Sequence, residues 1–286
     1  MSEPGTDRRF AGSTALVTGS TRGIGAGIAR RFVDEGANVV ITGRSVDEGE
    51  AIASELSARA TAAGTDGDAH FVRADVRDPD DIEALVRATA DTYGGIDVLV
   101  NNAGVQTETT ATDAAMDDWE FVLETDFRSF WLCAKHAVEH MSEGGSIVNM
   151  SSNHAFSTMP GLFPYNAVKA GINGMTRAMA LELGPHGIRV NTVNPGWVEV
   201  ERTREELSDD ERQRVEELHP LGRLGTRADV AGTVAFLASD DAAFVTGTSV
   251  LVDGGRSAVM QDHTFVEYAE SVRTGDRREP PAPNTD

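Results

Sequence analysis

Ser152 and Tyr165 stand thirteen residues apart, and Lys169 follows the tyrosine by four, which on a helix is one turn. A tyrosine hydroxyl, with an ordinary pKa of ~10, is a poor base near neutrality. An ammonium one turn away stabilises the phenolate and turns that hydroxyl into a usable acid–base group. A serine beside the pair can hydrogen-bond the oxygen whose charge develops as the proton moves. The trio therefore suits proton transfer to or from an alcohol or carbonyl oxygen. Asn153 and His154 follow the serine directly and offer donors and acceptors that fit a substrate with several hydroxyls. The alternative for His154 is a loop brace behind Ser152.

Composition sharpens the case for Lys169. Of the 25 basic residues only Lys135 and Lys169 are lysines, so a retained lysine points to a task for a compact ammonium that a guanidinium cannot do. The 46 acidic residues give a formal net charge of −21. A surface that negative repels phosphate backbones and excludes a nucleic-acid partner. Acid excess with so little lysine resembles proteins of salt-loving organisms; an ordinary acidic protein is the plainer reading. The 286 residues, 40% hydrophobic, suffice for a single large α/β domain. No apolar run is long enough to span a membrane, and the opening residues MSEPGTDRRF are polar, so the expected location is the cytoplasm. The single cysteine, Cys133, fits a reducing compartment and reads as a packing residue on an apolar helix face. No metal is expected.

The groups must be carried by something, and the chain alternates short apolar runs with helical patterns. TALVT (14–18), NVVIT (38–42), HFVRA (70–74), IDVLV (96–100), GSIVNM (145–150), IRVNTV (188–193) and TSVLV (248–252) read as strands. Stretches such as 28–36 and 81–94 between them read as helices, the latter capped by Asp80 or Asp81 and closed by Gly94 and Gly95. The pattern predicts one doubly wound Rossmann-type domain, a seven-stranded parallel sheet covered on both faces. Its expected span is 11–257, after a disordered tail at 1–10 and before a partly disordered extension at 258–286. In that extension Phe265, Val266 and Tyr268 are apolar enough to pack. The charged run 199–218 reads as a helical excursion.

The first strand runs into TGSTRGIG (18–25). Gly19, Gly23 and Gly25 let the backbone turn sharply and bring a pyrophosphate onto a helix N-terminus. The second strand ends in Gly43-Arg44-Ser45, where an acidic residue would favour NAD. Arg44, with Arg22 in the glycine loop, suits a 2′-phosphate instead, so NADP is the expected cofactor, with NAD also admissible. Asp75, after the third strand, is placed to meet adenine.

With TGxxxGIG, Asn101-Asn102-Ala103-Gly104, Ser152, Tyr165-x-x-x-Lys169 and Asn194-Pro195-Gly196 all in order, residues 11–256 resemble the short-chain dehydrogenases/reductases. The resemblance implies that Tyr165 exchanges the substrate proton, Ser152 steadies the oxygen, and Lys169 also holds the nicotinamide ribose. It implies cofactor contacts at Gly19, Thr21, Arg22, Gly23, Ile24, Gly25, Arg44, Ser45, Asp75, Val76, Asn102, Ala103, Gly104, Tyr165, Lys169, Pro195, Gly196 and Val198. Two positions depart from the pattern: Asp126 replaces the asparagine that is the usual fourth catalytic member, and Val200 replaces a threonine that bonds the carboxamide. The stretch SSNHAF (151–156) resembles sugar 1-dehydrogenases of the family. The expected activity is thus oxidation of an aldose at C1, for example L-arabinose or another pentose or deoxyhexose. Ser152, Asn153, His154, Tyr165, Gln106 and Trp197 would then line the substrate pocket. Reduction of a ketone or 3-oxoacyl thioester is the alternative, and a non-catalytic dinucleotide sensor a remote one. A homotetramer is the assembly the resemblance implies.

Overall fold

The computed structural model describes residues 8–201, 203, 207–259, 270, 273 and 274. The apolar runs form β1 (Thr14–Val17), β2 (Asn38–Gly43), β3 (Asp68–Arg73), β4 (Ile96–Asn101), β5 (Met141–Met150), β6 (Arg189–Pro195) and β7 (Ser249–Val252). All neighbours pair in parallel. The seven-stranded sheet has the order β3-β2-β1-β4-β5-β6-β7. The order reverses between β1 and β4, so a crevice opens at the carboxyl ends of these two strands.

The helices are α1 (Gly23–Asp34), α2 (Val46–Ala63), α3 (Pro79–Tyr93), α4 (Met116–Val122), α5 (Ser129–Ala137), α6 (Tyr165–Leu183), α7 (Asp209–Glu217) and α8 (Arg227–Ala238). Alternate residues of each strand face opposite layers. Val39 and Ile41 of β2 join Ile28 and Phe32 of α1, Leu56 of α2 and Val234 of α8 on one face. Leu16 and Val40 turn the other way, toward Leu85 of α3, Leu132 of α5 and Ala180 of α6. Cys133 is buried in that second layer, and burial pushes its thiol up to about 12, so it packs rather than reacts.

Two boundaries differ from the sequence expectation. The fold starts before residue 11: Phe10 is buried and meets Phe32 edge-to-face at 4.9 Å. The cap of α3 is Asp78, not Asp80 or Asp81; its carboxylate accepts the Asp80 N–H at 3.0 Å. Pro79 explains the shift, since it is preorganised for the first helical position and has no N–H to satisfy. Gly94 closes α3 in the left-handed conformation, φ +87°. Within the charged run 199–218, α7 opens at a capping box of Ser208 and Glu211. Phe265, Val266 and Tyr268 lie outside the described residues, as do residues 1–7.

Candidate active site

Tyr165 is the first residue of α6, so Lys169 follows it on the same face one turn later. The Lys169 ammonium lies 5.5 Å from the centre of the Tyr165 ring and donates to the Met150 carbonyl at 3.1 Å. Ser151 Oγ donates to the Lys169 carbonyl at 2.8 Å. The end of β5 is thereby fastened to α6, and Ser152, the next residue, is held beside it. Ser152 Oγ accepts the His154 N–H at 3.2 Å and caps a short 3₁₀ turn over Asn153–Ala155.

Lys169 has a second partner. Asp126 Oδ2 lies 3.0 Å from its Nζ, and the Asp126 side chain is fully buried. The other carboxylate oxygen accepts the Val105 N–H at 2.8 Å. Asp126 sits in a π-helical segment, Leu123–Arg128, which joins α4 to α5; such widened turns recur at functional sites. Burial works against the lysine's charge, but the Asp126 carboxylate and the neighbouring Tyr165 more than offset it and hold the ammonium above the ordinary lysine value. Burial also pushes the Asp126 carboxyl up, and the ammonium and the Val105 N–H offset this only in part.

A buried polar ladder supports the site from below. Asn101 Nδ2 donates to Asn149 Oδ1 at 2.9 Å, and Asn149 Nδ2 donates to Thr176 Oγ1 at 3.0 Å. Thr192 Oγ1 continues the ladder to Thr176 at 2.7 Å. It ties β4, β5, β6 and α6 together through groups whose partners are far apart in sequence, and no short motif announces it.

The glycine loop is built from both ends. Gly19 has φ +61°, and a Cβ there would lie 2.7 Å from Ala103 Cα. A Cβ on Gly25 would lie 2.4 Å from the Gly19 carbonyl oxygen and 2.5 Å from Asn102 Nδ2. Asn102 Nδ2 donates to the Thr18 and Gly19 carbonyls at 2.9 and 3.0 Å. Thr18 Oγ1 accepts the N–H groups of Asn102 and Ala103. The Asn102 side chain therefore shapes the loop, while Thr21 packs on Gly43. Arg22 precedes α1 without a side-chain cap, and the first turn has no acidic residue. The N–H groups at that helix end are thus suited to an anion, and the site fits a dinucleotide pyrophosphate. Gly23 lies open on its Cβ side among the described residues, with Val200 Cγ1 alone within reach at 4.0 Å. Ile24 and Val200 pack against the core layer.

The other expected cofactor residues line the same edge. Gly196 N–H donates to the Val252 carbonyl at 3.0 Å beside Pro195, and Val198 is buried and bridges to Gly225. Val76 is buried, and Gly104 is exposed above Asp126. Arg22 and Arg44 are exposed and make no ion pair among the described residues. Ser45 caps α2 by accepting the Glu48 N–H at 3.4 Å.

Two of the expected site residues are engaged within the chain. The Asp75 carboxylate does not stand free toward adenine. Arg77 grips it through two nitrogens, at 3.1 and 2.7 Å. That guanidinium, with a weaker contribution from Arg44, holds the carboxyl below its ordinary range. Asn153 is buried, its Oδ1 accepts the Ser152 hydroxyl at 3.4 Å, and its Nδ2 lies toward Gly196. His154 is half-buried, its ring and that of Tyr165 meeting edge-to-face with centroids 6.2 Å apart. His154 Nδ1 is within 3.3 Å of Thr158 Oγ1, and burial lowers its pKa. Gln106 and Trp197 are half-buried; the Trp197 carbonyl accepts the Gly225 N–H at 2.9 Å. Neither side chain bonds Ser152 or Tyr165 among the described residues.

Comparison with known proteins agrees with this geometry. The profile of the family described as enoyl-(acyl carrier protein) reductase matches residues 19–257. The chain is 39% identical to 3β-hydroxysteroid dehydrogenase 1 of Eggerthella lenta, over 85% of this chain and 93% of that one. It is 36% identical to the 3-oxoacyl-[acyl-carrier-protein] reductase FabG of Staphylococcus aureus, over 85% and 97%. The solved short-chain dehydrogenase/reductase of Serratia marcescens BCRC 10948 superposes with a TM-score of 0.81 at 35% identity, covering 87% of this chain and 99% of that one. The chain belongs to the short-chain dehydrogenase/reductase family and is an oxidoreductase.

Proposed function

We propose that the protein interconverts a secondary alcohol and its ketone with NADP(H), on a substrate that carries an apolar arm. The observation that carries this reading is the placement of Tyr165 and Lys169 on one face of α6, with Ser152 at the end of β5 beside them. In alcohol oxidation Tyr165 takes the hydroxyl proton while Ser152 donates to the same oxygen; in reduction Tyr165 returns that proton. Lys169 places an ammonium beside the Tyr165 ring. When bound, the nicotinamide supplies or receives the hydride. Gly19, Gly23 and Gly25 would hold its pyrophosphate. Arg22 and Arg44, exposed at the loop mouth, would take the 2′-phosphate.

Support for an apolar arm comes from a cleft of about 430 Å³ between the 110–111 and 158–166 segments. Ala111, Met159, Pro160, Leu162 and Phe163 line it with Thr110 and Thr158, and Asn166, the sequence neighbour of Tyr165, forms the wall nearest the catalytic trio, which lies outside the cleft. The two relatives named for steroid and 3-oxoacyl substrates fit the same class. Aldose oxidation at C1 is the second reading. It rests on His154, whose Nε2 makes no hydrogen bond among the described residues and whose ring meets that of Tyr165 edge-to-face, centroids 6.2 Å apart.

Assembly as a homotetramer belongs to the same proposal. Trp131 and Leu181 expose apolar surface on α5 and α6, and Phe236, Phe244 and Leu251 do so around β7. The charge of −21 supports a fold stabilised by high salt. No helix among the described residues is long and apolar enough to cross a membrane. The activity is tested by a panel of 3-oxoacyl thioesters, hydroxysteroids and aldoses with both nicotinamide cofactors. Brisk NADPH-linked reduction of the first two groups supports the reading. Turnover confined to aldoses replaces it with the second, and no turnover on any member refutes it.

A further inference from the structure

The cleft of about 430 Å³ is walled by two stretches of chain that the fold clamps together. Thr109 pairs with Leu162, and the Phe163 N–H donates to the Thr109 carbonyl at 3.2 Å. The Phe163 ring meets that of Trp119 with centroids 5.7 Å apart, which sets α4 against the same wall. On the catalytic side, Thr158 of the lining has its Oγ1 3.3 Å from His154 Nδ1, and the His154 ring meets that of Tyr165. Met116, Phe156 and Met159 leave large apolar surface exposed on these segments. The charge around the cleft is one-sided. Residues 104–127 hold seven acidic residues and no lysine or arginine, and residues 151–168 hold no aspartate, glutamate, lysine or arginine. Asp113 is one bond from the cleft, because Thr110 Oγ1 on its lining donates to Asp113 Oδ2 at 2.6 Å. Glu108 precedes the paired Thr109, and Asp117, Asp118 and Glu120 flank Trp119 on α4. None of these five carboxylates has an ion-pair partner among the described residues. Arg128, the first base beyond them in the chain, donates to Glu124 at 2.7 Å and to the Arg77 carbonyl at 2.6 Å. Burial lowers the pKa of His154, which keeps its ring neutral near pH 7.

We infer that this cleft admits a substrate arm that is neutral or cationic and turns away an anionic one, such as the phosphate-bearing carrier of a coenzyme A thioester. The inference rests on the alcohol–ketone reading above and names the substrate class within it. The binding surface is the apolar cleft; the carboxylates on its rim decide what enters. An anion has to leave water for walls that offer no base to pair with it, while it approaches several fixed negative charges. An ammonium pays a comparable desolvation cost and is drawn in by the same charges. The selection is electrostatic, so it fades as salt shortens the reach of the field, from about 30 Å at 0.01 M to about 3 Å at 1 M. Within the substrate panel it favours hydroxysteroids over thioesters carried on a phosphate.

The test takes the best substrate of the panel and two analogues whose arm ends in a carboxylate or in a trimethylammonium group, and compares kcat/KM on the full chain. At about 10 mM salt the ammonium analogue should be used about tenfold or more better than the carboxylate analogue, and at about 1 M salt the two should agree within about twofold. The triple variant Glu108→Gln, Asp113→Asn, Asp117→Asn should cut the low-salt preference to about threefold or less. A control triple variant, Glu139→Gln, Glu143→Gln, Glu182→Gln, changes exposed acids near the start of β5 and the end of α6. It should leave the preference standing, which separates the rim from the net charge of −21. Melting curves establish that each variant is folded, and the salt series on the wild-type chain tests the sign without any variant. Equal use of the two analogues at low salt, a preference that both triple variants shift alike, or a coenzyme A thioester as the best member of the panel would overturn the inference and leave the alcohol–ketone reading intact. No turnover of any member takes down that reading and this inference with it.

Discussion

Asp126 and Lys169 face each other across 3.0 Å with almost no exposure to solvent, and the same ammonium stands 5.5 Å from the Tyr165 ring. The Asp126 carboxylate and the Tyr165 side chain therefore share one neighbouring ammonium. Replacing Asp126 with asparagine keeps an oxygen for the Val105 N–H and removes the competing anion. Asp126→Asn should retain most activity at its own optimum, while the acid limb of the alcohol-oxidation profile moves down by about one pH unit. A pH–rate profile of kcat/KM checks this. An unmoved limb, or a loss of orders of magnitude in a folded variant, would show that the carboxylate serves another purpose.

Cofactor choice is the second prediction. Arg22 and Arg44 stand exposed at the loop mouth without ion-pair partners among the described residues. Substituting both with alanine should raise the KM for NADP by roughly tenfold or more and leave that for NAD within about twofold, since charge-assisted contacts to the 2′-phosphate are lost only with NADP. Equal losses with the two cofactors would contradict the assignment.

Gly25 makes the glycine loop a steric prediction as well. A methyl group there would meet the Gly19–Ser20 peptide at 2.4 and 2.9 Å and Asn102 Nδ2 at 2.5 Å, and that backbone cannot yield cheaply. Gly25→Ala should destabilise the fold by about 1–3 kcal/mol and abolish measurable dinucleotide binding. Urea melts with NADPH titration test both parts; normal affinity would mean the loop is softer than its geometry implies.

Much of this was legible in the sequence because the residues concerned act locally. Gly19, Gly23 and Gly25 announce a turn by type and spacing, and Tyr165 with Lys169 announces a helix face. The strands stand out because both faces of the sheet are buried, so their apolar runs are nearly unbroken. Asp126 was visible only as a departure from a pattern; its direct pairing with Lys169 depends on how the π-helical segment packs against α6. The bond from Ser152 to Asn153 was not legible, because a polar side chain beside a serine looks the same in sequence whichever way it turns. The Asn101–Asn149–Thr176–Thr192 ladder joins distant parts of the chain, and only the fold brings them together.

Glu35 gives a prediction about stability against pH. Arg9 holds its carboxylate at 2.7 and 2.8 Å, and Arg31 holds it from the same helix. Burial raises the carboxyl, but the two guanidinium groups overcome it and keep the pKa below the ordinary value. A depressed folded-state pKa contributes stability above the unfolded value, about 4.3, and that contribution is lost as pH falls through the folded value. Glu35→Gln should therefore cost about 2–3 kcal/mol at neutral pH, and the gap to wild type should narrow in acid. Urea melts at neutral pH and below pH ~4 measure it; a constant gap would contradict the ionic origin.

The central claim is that Tyr165 exchanges the substrate proton during NADP(H)-linked hydride transfer. It is tested most directly by Tyr165→Phe, which removes the hydroxyl and keeps the ring that packs beside Lys169. The measurement is the rate of NADPH consumption with the best substrate of the panel, alongside NADPH binding to the same protein. The account predicts a rate at least about a thousandfold lower with dinucleotide affinity within about threefold of wild type. A variant that binds NADPH normally and still turns over within about tenfold of wild type would contradict it.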